Sequence, residues 1–187
     1  MATSRDAAGV QATMHASLAT GPGILVLLMS PLRPDLVACW LFRVDAAGQL
    51  EILLIRRAAS SSYAGLWQCV TGRLEAGERI TAGALREVAE ETGLGPADIE
   101  RYFETDIVNW FHEQAIDGLL SEAVFAARVR PDVRVTLSHE HEDLRWVTPV
   151  EAHELVLWPA YHRAIDQVEW LVANPEKAAF YRLPDPT

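Results

Sequence analysis

Cysteine is scarce in this chain: only Cys39 and Cys69 occur, both within apolar, strand-like runs. That number and spacing exclude a disulfide framework and a zinc-ligand motif, and they predict two buried thiols in a reducing compartment, the cytoplasm by default. Basic residues are outnumbered, with 16 Lys and Arg against 26 Asp and Glu, for a formal net charge of −10. An extended nucleic-acid surface needs a basic stripe, so no nucleic-acid polymer is expected as a partner. A polyphosphate would be repelled too unless a cation came with it. The apolar run Ile24–Met29 falls far short of the roughly 20 residues that span a bilayer. The basic region of a signal peptide is missing before it, and no membrane association is expected. Internal repeats and a domain linker are lacking as well.

What is there suits one soluble domain with a sizeable core: 187 residues, 50% hydrophobic and 22% charged. Residues 1–30 are largely small, polar and aperiodic and read as a flexible or peripheral N-terminal extension. The domain proper is expected over residues 31–175, followed by a peripheral, proline-containing tail over 176–187. Leu36–Val44 and Leu50–Arg57 have strand composition and flank the turn Asp45-Ala46-Ala47-Gly48, which predicts a hairpin. A short strand, Trp67–Val70, follows a small-residue loop. Arg101–Phe111 and Leu119–Val129 predict a second hairpin, and Leu144–Val147 a strand after the polar loop Ser138–Asp143. Thr148-Pro149-Val150-Glu151 has the form of a capping box with proline at the first helical position. A last helix is expected from about Pro159 to Val172.

The most informative stretch is Gly72–Leu94, GRLEAGERITAGALREVAEETGL. Its first half reads as a loop bracketed by Gly72 and Gly77, where the chain can curl around a small charged ligand. From Thr81 the spacing predicts a helix with Leu85, Val88, Ala89 and Thr92 on one face and Gly93 as its stop. The opposite face carries Arg86, Glu87, Glu90 and Glu91. Three carboxylates on one patch repel one another by a few tenths of a kcal/mol per pair. A hard divalent cation relieves that repulsion, because Mg²⁺ takes carboxylate oxygens and keeps several waters. Glu78, in the preceding loop, either adds an oxygen or holds Arg86.

The complete pattern runs glycine, five residues, Glu78, seven residues, Arg86-Glu87, Val88, one residue, Glu90-Glu91, one residue, Gly93-Leu94. It resembles the Nudix box at every defined position. The resemblance implies an α/β fold, an α/β/α sandwich with a mixed sheet, and a hydrolase of nucleoside diphosphates linked to another group. It implies Mg²⁺ or Mn²⁺ as the cofactor. By motif position, Glu90 and Glu91 are the main metal ligands, Glu87 is a ligand or the base, Arg86 orients a glutamate, and Gly72 ligates through its carbonyl. Many members add an acidic residue from a later loop as a ligand or general base; here that is Glu140, with Glu142 second. Trp67-Gln68-Cys69-Val70-Thr71-Gly72 before the box and Glu140-His141 after it resemble the dihydroneopterin triphosphate pyrophosphatase branch.

Around this centre, Arg57 and Arg73 are the expected phosphate contacts, since both lie close to the box loop, with Arg56 a further candidate. Trp67, Trp110, Phe111, Trp158 and Tyr161 form the pool of aromatics from which a stacking surface for a purine or pterin can be drawn. The implied reaction splits a (deoxy)nucleoside triphosphate or dihydroneopterin triphosphate into the monophosphate and pyrophosphate. Dinucleoside polyphosphates or nucleotide sugars are the alternative substrates. A non-catalytic, nucleotide-binding module is the other class, but such modules lose a box glutamate and this box has them all. The expected partner is a small nucleotide-type molecule, and a homodimer is left open.

Overall fold

A computed structural model describes residues 32–186. The expected N-terminal extension, with its run Ile24–Met29, lies outside the described residues. Strands β1 (Leu36–Val44) and β2 (Leu50–Arg57) form the first hairpin. Asp45 closes the turn between them. Its carboxylate accepts the N–H groups of Ala47 and Gln49, each at 2.8 Å, and Gly48 takes φ 85°, open to a residue without Cβ.

The stretch expected as one short strand is two. β3 (Trp67–Gln68) pairs with β2, β4 (Val70–Arg73) pairs with the first half of β1, and the chain crosses between them at Cys69. β5 (Ile99–Glu113) and β6 (Gly118–Val129) form the second hairpin, and β7 (His141–Val147) begins ahead of its expected start at Leu144. The result is a seven-stranded sheet in the order β3-β2-β1-β6-β5, with β4 also beside β1 and β7 beside β2. β1 and β6 are parallel and the other pairings antiparallel, so the sheet is mixed.

β1 is central and buried on both faces, and its residues divide with period two. Ala38, Trp40 and Phe42 pack with Ile52 and Leu54 beneath Ala152 of α2 (Pro149–Leu155) and Ala164, Ile165 and Val168 of α3 (Pro159–Ala173). Val37, Cys39 and Leu41 pack on the other face with Leu53 and Ile55 beneath Ala84 and Val88 of α1 (Ile80–Thr92). Two helical layers enclosing one mixed sheet make the expected α/β/α sandwich. Trp40, at 1% exposure, shows what the core is worth: truncating such a side chain to alanine costs about 3–5 kcal/mol. Cys39 and Cys69 are free thiols, buried on opposite faces.

Helix α1 departs from its expected orientation. Its buried residues are Gly83, Ala84, Glu87, Val88, Glu91 and Thr92, while Ala89 is exposed. The helix is thus rotated so that two glutamates of its acidic face turn inward. Small Gly83 and Ala84 permit the close approach: a Cβ on Gly83 would stand 2.6 Å from Leu74. Gly93 stops the helix as expected, at φ 71° with its N–H on the Ala89 carbonyl.

The capping box of α2 forms. Thr148 Oγ1 accepts from the Glu151 N–H at 3.3 Å, and Glu151 accepts from the Thr148 N–H at 2.9 Å. Such a cap is worth about 1 kcal/mol. After α4 (Pro175–Ala178), the chain returns to the β5 edge. Arg182 bridges Phe103, and the Leu183 N–H donates to the Tyr102 carbonyl at 2.8 Å. No helix among the described residues is long and apolar enough to cross a membrane.

Candidate active site

The N-terminal half of β1 holds β4 in register through Val37↔Gly72 and Leu36↔Arg73, which brings Gly72 under α1. There the Glu87 carboxylate lies against the glycine: a Cβ built on Gly72 would stand 2.0 Å from Glu87 Cδ and 2.2 Å from each oxygen. The site therefore requires glycine for space.

Arg86 ties the helix to the loop that precedes it. Its guanidinium donates to Glu78 Oε1 at 3.0 Å and Oε2 at 3.2 Å, to Glu87 Oε1 at 2.8 Å, to Glu90 Oε2 at 3.0 Å and to the Arg73 carbonyl at 3.0 Å. Of the two roles open to Glu78, holding Arg86 is the one adopted. Bidentate geometry of this kind is specific to arginine.

Burial sets the charge state of the inner glutamates. The Glu87 carboxyl is raised above its ordinary range by burial, with the Arg86 hydrogen bond opposing. Glu91 is pushed up to about 8, by burial first and then by the negative charges of Glu87 and Glu140. Its Oε2 is buried without a hydrogen-bond partner. A buried carboxylate oxygen with no donor costs on the order of 1–3 kcal/mol or more unless something positive reaches it. Crowded glutamate oxygens, one of them unpartnered, beside a backbone that lacks Cβ suit a hard divalent cation.

These groups open onto a cavity of about 660 Å³. Of the residues singled out in the sequence, Gly72, Glu87, Glu90, Glu91, Glu140, Arg57 and Arg73 line it. Glu140 arrives through its backbone, whose carbonyl accepts from the Ala58 N–H at 2.8 Å and the Ser61 hydroxyl at 3.1 Å. Arg57 is fixed by the same loop: its N–H donates to the Leu66 carbonyl and its carbonyl accepts from Gly65. Arg56 points to Glu142 at 3.3 Å and over the Trp67 ring at 5.6 Å, and neither Arg56 nor Glu142 lines the cavity.

The aromatics are scattered. Trp67 is a core residue, its ring covered by Arg145 at 4.8 Å, and Trp110 is exposed on the edge strand β5. Trp158 stands edge-on to Tyr63 at 5.6 Å and to Tyr161 at 5.4 Å, outside the cavity wall. Sequence reasoning missed Leu36, Thr71, Ser138 and His139 as cavity residues. Thr71 and Leu36 carry no chemical signal of their own, and only the β1–β4 register brings them in. His141, next to Glu140, is buried within 3.4 Å of Gln68, and burial lowers its imidazole to about 4, keeping it neutral.

A cavity lined by glutamates and two arginines, between β1, β4 and α1 of an α/β/α sandwich, suits a divalent cation and the phosphate groups it would bring. The chain belongs to the Nudix family: residues 33–171 match the NUDIX domain. It is 35% identical over 111 residues to the CTP pyrophosphohydrolase of Escherichia coli (strain K12), covering 59% of this chain and 76% of that one. It is 37% identical over 99 residues to an octanoyltransferase of Myxococcus xanthus, a match that covers 53% of this chain and only 27% of that longer protein. Among solved structures, a Nudix protein of Listeria monocytogenes superposes with TM-score 0.65 at 26% identity, covering 77% of this chain and 97% of that one.

Proposed function

We propose that this domain is a Mg²⁺-dependent (or Mn²⁺-dependent) pyrophosphohydrolase of (deoxy)nucleoside triphosphates or dihydroneopterin triphosphate, releasing the monophosphate and pyrophosphate. The observation that carries it is the inner glutamate pair: Glu87 seated on Gly72, beside a Glu91 oxygen with no partner, in a cavity flanked by Arg57 and Arg73. The similarity to a CTP pyrophosphohydrolase supports a triphosphate substrate.

Glu87, Glu90, Glu91, Glu140 and the Gly72 carbonyl would hold the divalent ion. When bound, that ion neutralises phosphate charge and makes a coordinated water more acidic. Arg57 and Arg73 hold the phosphate oxygens, which a chain of net charge −10 would otherwise repel. Glu87 is already committed to Arg86 and pressed on Gly72, so it positions rather than accepts protons. Glu140 lines the cavity without a side-chain partner among the described residues, and its carboxylate takes the proton of the attacking water. The water oxygen bonds to phosphorus as the α–β anhydride bond breaks and pyrophosphate departs. For the base, Trp158 and Tyr63 offer aromatic faces, and stacking worth about 1–3 kcal/mol tolerates many rings. Tyr63 lies on the same loop, 58–66, that fixes the Arg57 backbone, although neither ring lines the cavity itself. This is a small-molecule enzyme of the cytoplasm in this reading, with no nucleic-acid polymer or membrane partner.

The test is a substrate panel at saturating Mg²⁺ with products identified by phosphorus NMR. Pyrophosphate from several triphosphates is expected. ADP-ribose or a dinucleoside polyphosphate turning over far faster than every triphosphate would overturn the substrate reading.

A further inference from the structure

Across the sheet from the glutamate cavity, α2 and α3 bring together four side chains for which hydrolysis has no use. His162, Asp166 and Glu169 lie four and three residues apart along one edge of α3, beside its buried stripe Tyr161, Ala164, Ile165 and Val168. His153 of α2 faces them. The two imidazoles meet edge to edge in nearly parallel planes, with centroids 5.0 Å apart at an interplanar angle of 9° and their Nδ1 atoms 2.7 Å apart. His153 Nε2 points the other way, to Asp166 Oδ1 at 3.2 Å. Ligand atoms of His153, Asp166 and Glu169 all lie within 4.8 Å of one another.

We propose that His153, Asp166 and Glu169 form a second, transition-metal site of the Zn²⁺ class, with His162 orienting His153. The placement of the ring nitrogens and carboxylate oxygens carries the argument. Two Nδ1 atoms at 2.7 Å require one proton between them. When that proton sits on His153 Nδ1 and is donated to His162, the His153 Nε2 lone pair is free and faces Asp166 Oδ1, and a cation between the two satisfies both. A metal-bound histidine whose other nitrogen donates to a fixed acceptor is how protein sites orient such ligands. One imidazole with two carboxylates suits Zn²⁺ and its neighbours better than Mg²⁺, which prefers an all-oxygen shell. Among the described residues Asp166 has no ion-pair partner other than His153, which leaves its second oxygen open to a ligand. Both carboxylates are exposed, and small rotations suffice to draw them onto a common centre.

The test is a Zn²⁺ titration of the full chain, stripped of metal and then supplied with saturating Mg²⁺, followed by nitrogen NMR of the histidine side chains. His139 and His141, beside the other cavity, serve as internal controls. His153 Nε2 is expected to shift as a metal-bound nitrogen at stoichiometric Zn²⁺, and His162 to sharpen into one tautomer. Asp166→Asn and Glu169→Gln should each weaken Zn²⁺ binding at least 10-fold, leaving triphosphate hydrolysis with Mg²⁺ within about twofold. Both residues are exposed, so these variants keep the fold. Unmoved His153 and His162 resonances at tenfold excess Zn²⁺ would overturn the site. So would wild-type Zn²⁺ affinity in the Asp166→Asn/Glu169→Gln double variant. The readout is binding, so the outcome is independent of the substrate reading.

Discussion

The carboxylate of Glu87 occupies the space in which any residue but glycine at position 72 would place its Cβ, 2.0 Å from Glu87 Cδ. Val37 fixes Gly72 through the sheet, so it is the Glu87 carboxylate that must move, and moving it breaks its contact with Arg86. Gly72→Ala should therefore displace the carboxylate and lower turnover at least 10-fold, with an overpacking cost to stability of about 1–3 kcal/mol. Turnover and thermal unfolding of the same preparation check it. A fully active, equally stable alanine variant would contradict the contact.

Glu91→Gln preserves shape and removes the charge of the buried, unpartnered oxygen. Turnover at saturating Mg²⁺ should fall by more than 10-fold. A variant retaining above about a tenth of wild-type turnover would show that Glu91 holds no ion that matters.

Arg86→Lys keeps the positive charge but cannot make the five hydrogen bonds to Glu78, Glu87, Glu90 and the Arg73 carbonyl. The expected result is a 10- to 100-fold loss of activity together with weaker Mg²⁺ activation. An unchanged Mg²⁺ dependence would mean that Arg86 does not position the glutamates.

Glu122 supplies a pH test away from the cavity. It is buried beneath α3, accepts a hydrogen bond from Asn109 Nδ2 at 2.9 Å, and has its carboxyl raised above 4.5, chiefly by burial. Above pH 4.5 the unfolded chain has lost this proton while the folded chain still holds it. The folded state then binds more protons, and stability falls as pH rises from 4.5 through the folded value. Glu122→Gln removes that slope. Its melting temperature should exceed wild type at pH 8 and match it near pH 4, as paired thermal scans would show. An advantage equal at both pH values would contradict the linkage.

The sequence by itself determined that Gly72, Glu87, Glu90 and Glu91 meet at one cavity, because the box concentrates them in one helix and one loop, where spacing alone sets which groups meet. The two hairpins and the capping box of α2 were legible for the same local reason: Asp45, Gly48, Thr148 and Glu151 act on neighbours only a few residues away. The rotation of α1 was not legible, because an apolar period ranks Ala89 above Glu87. Only the sheet beneath makes burial of Glu87 and Glu91 affordable, through Gly72, Arg86 and the cavity. The sequence already ranked Arg57 above Arg56 and Glu140 above Glu142, and tertiary structure decided where the second of each pair goes. Adjacent strand residues face opposite sides, so Arg56 turns away from the cavity that Arg57 lines; Glu140 reaches it from the loop before β7, while Glu142 within β7 pairs with Arg56.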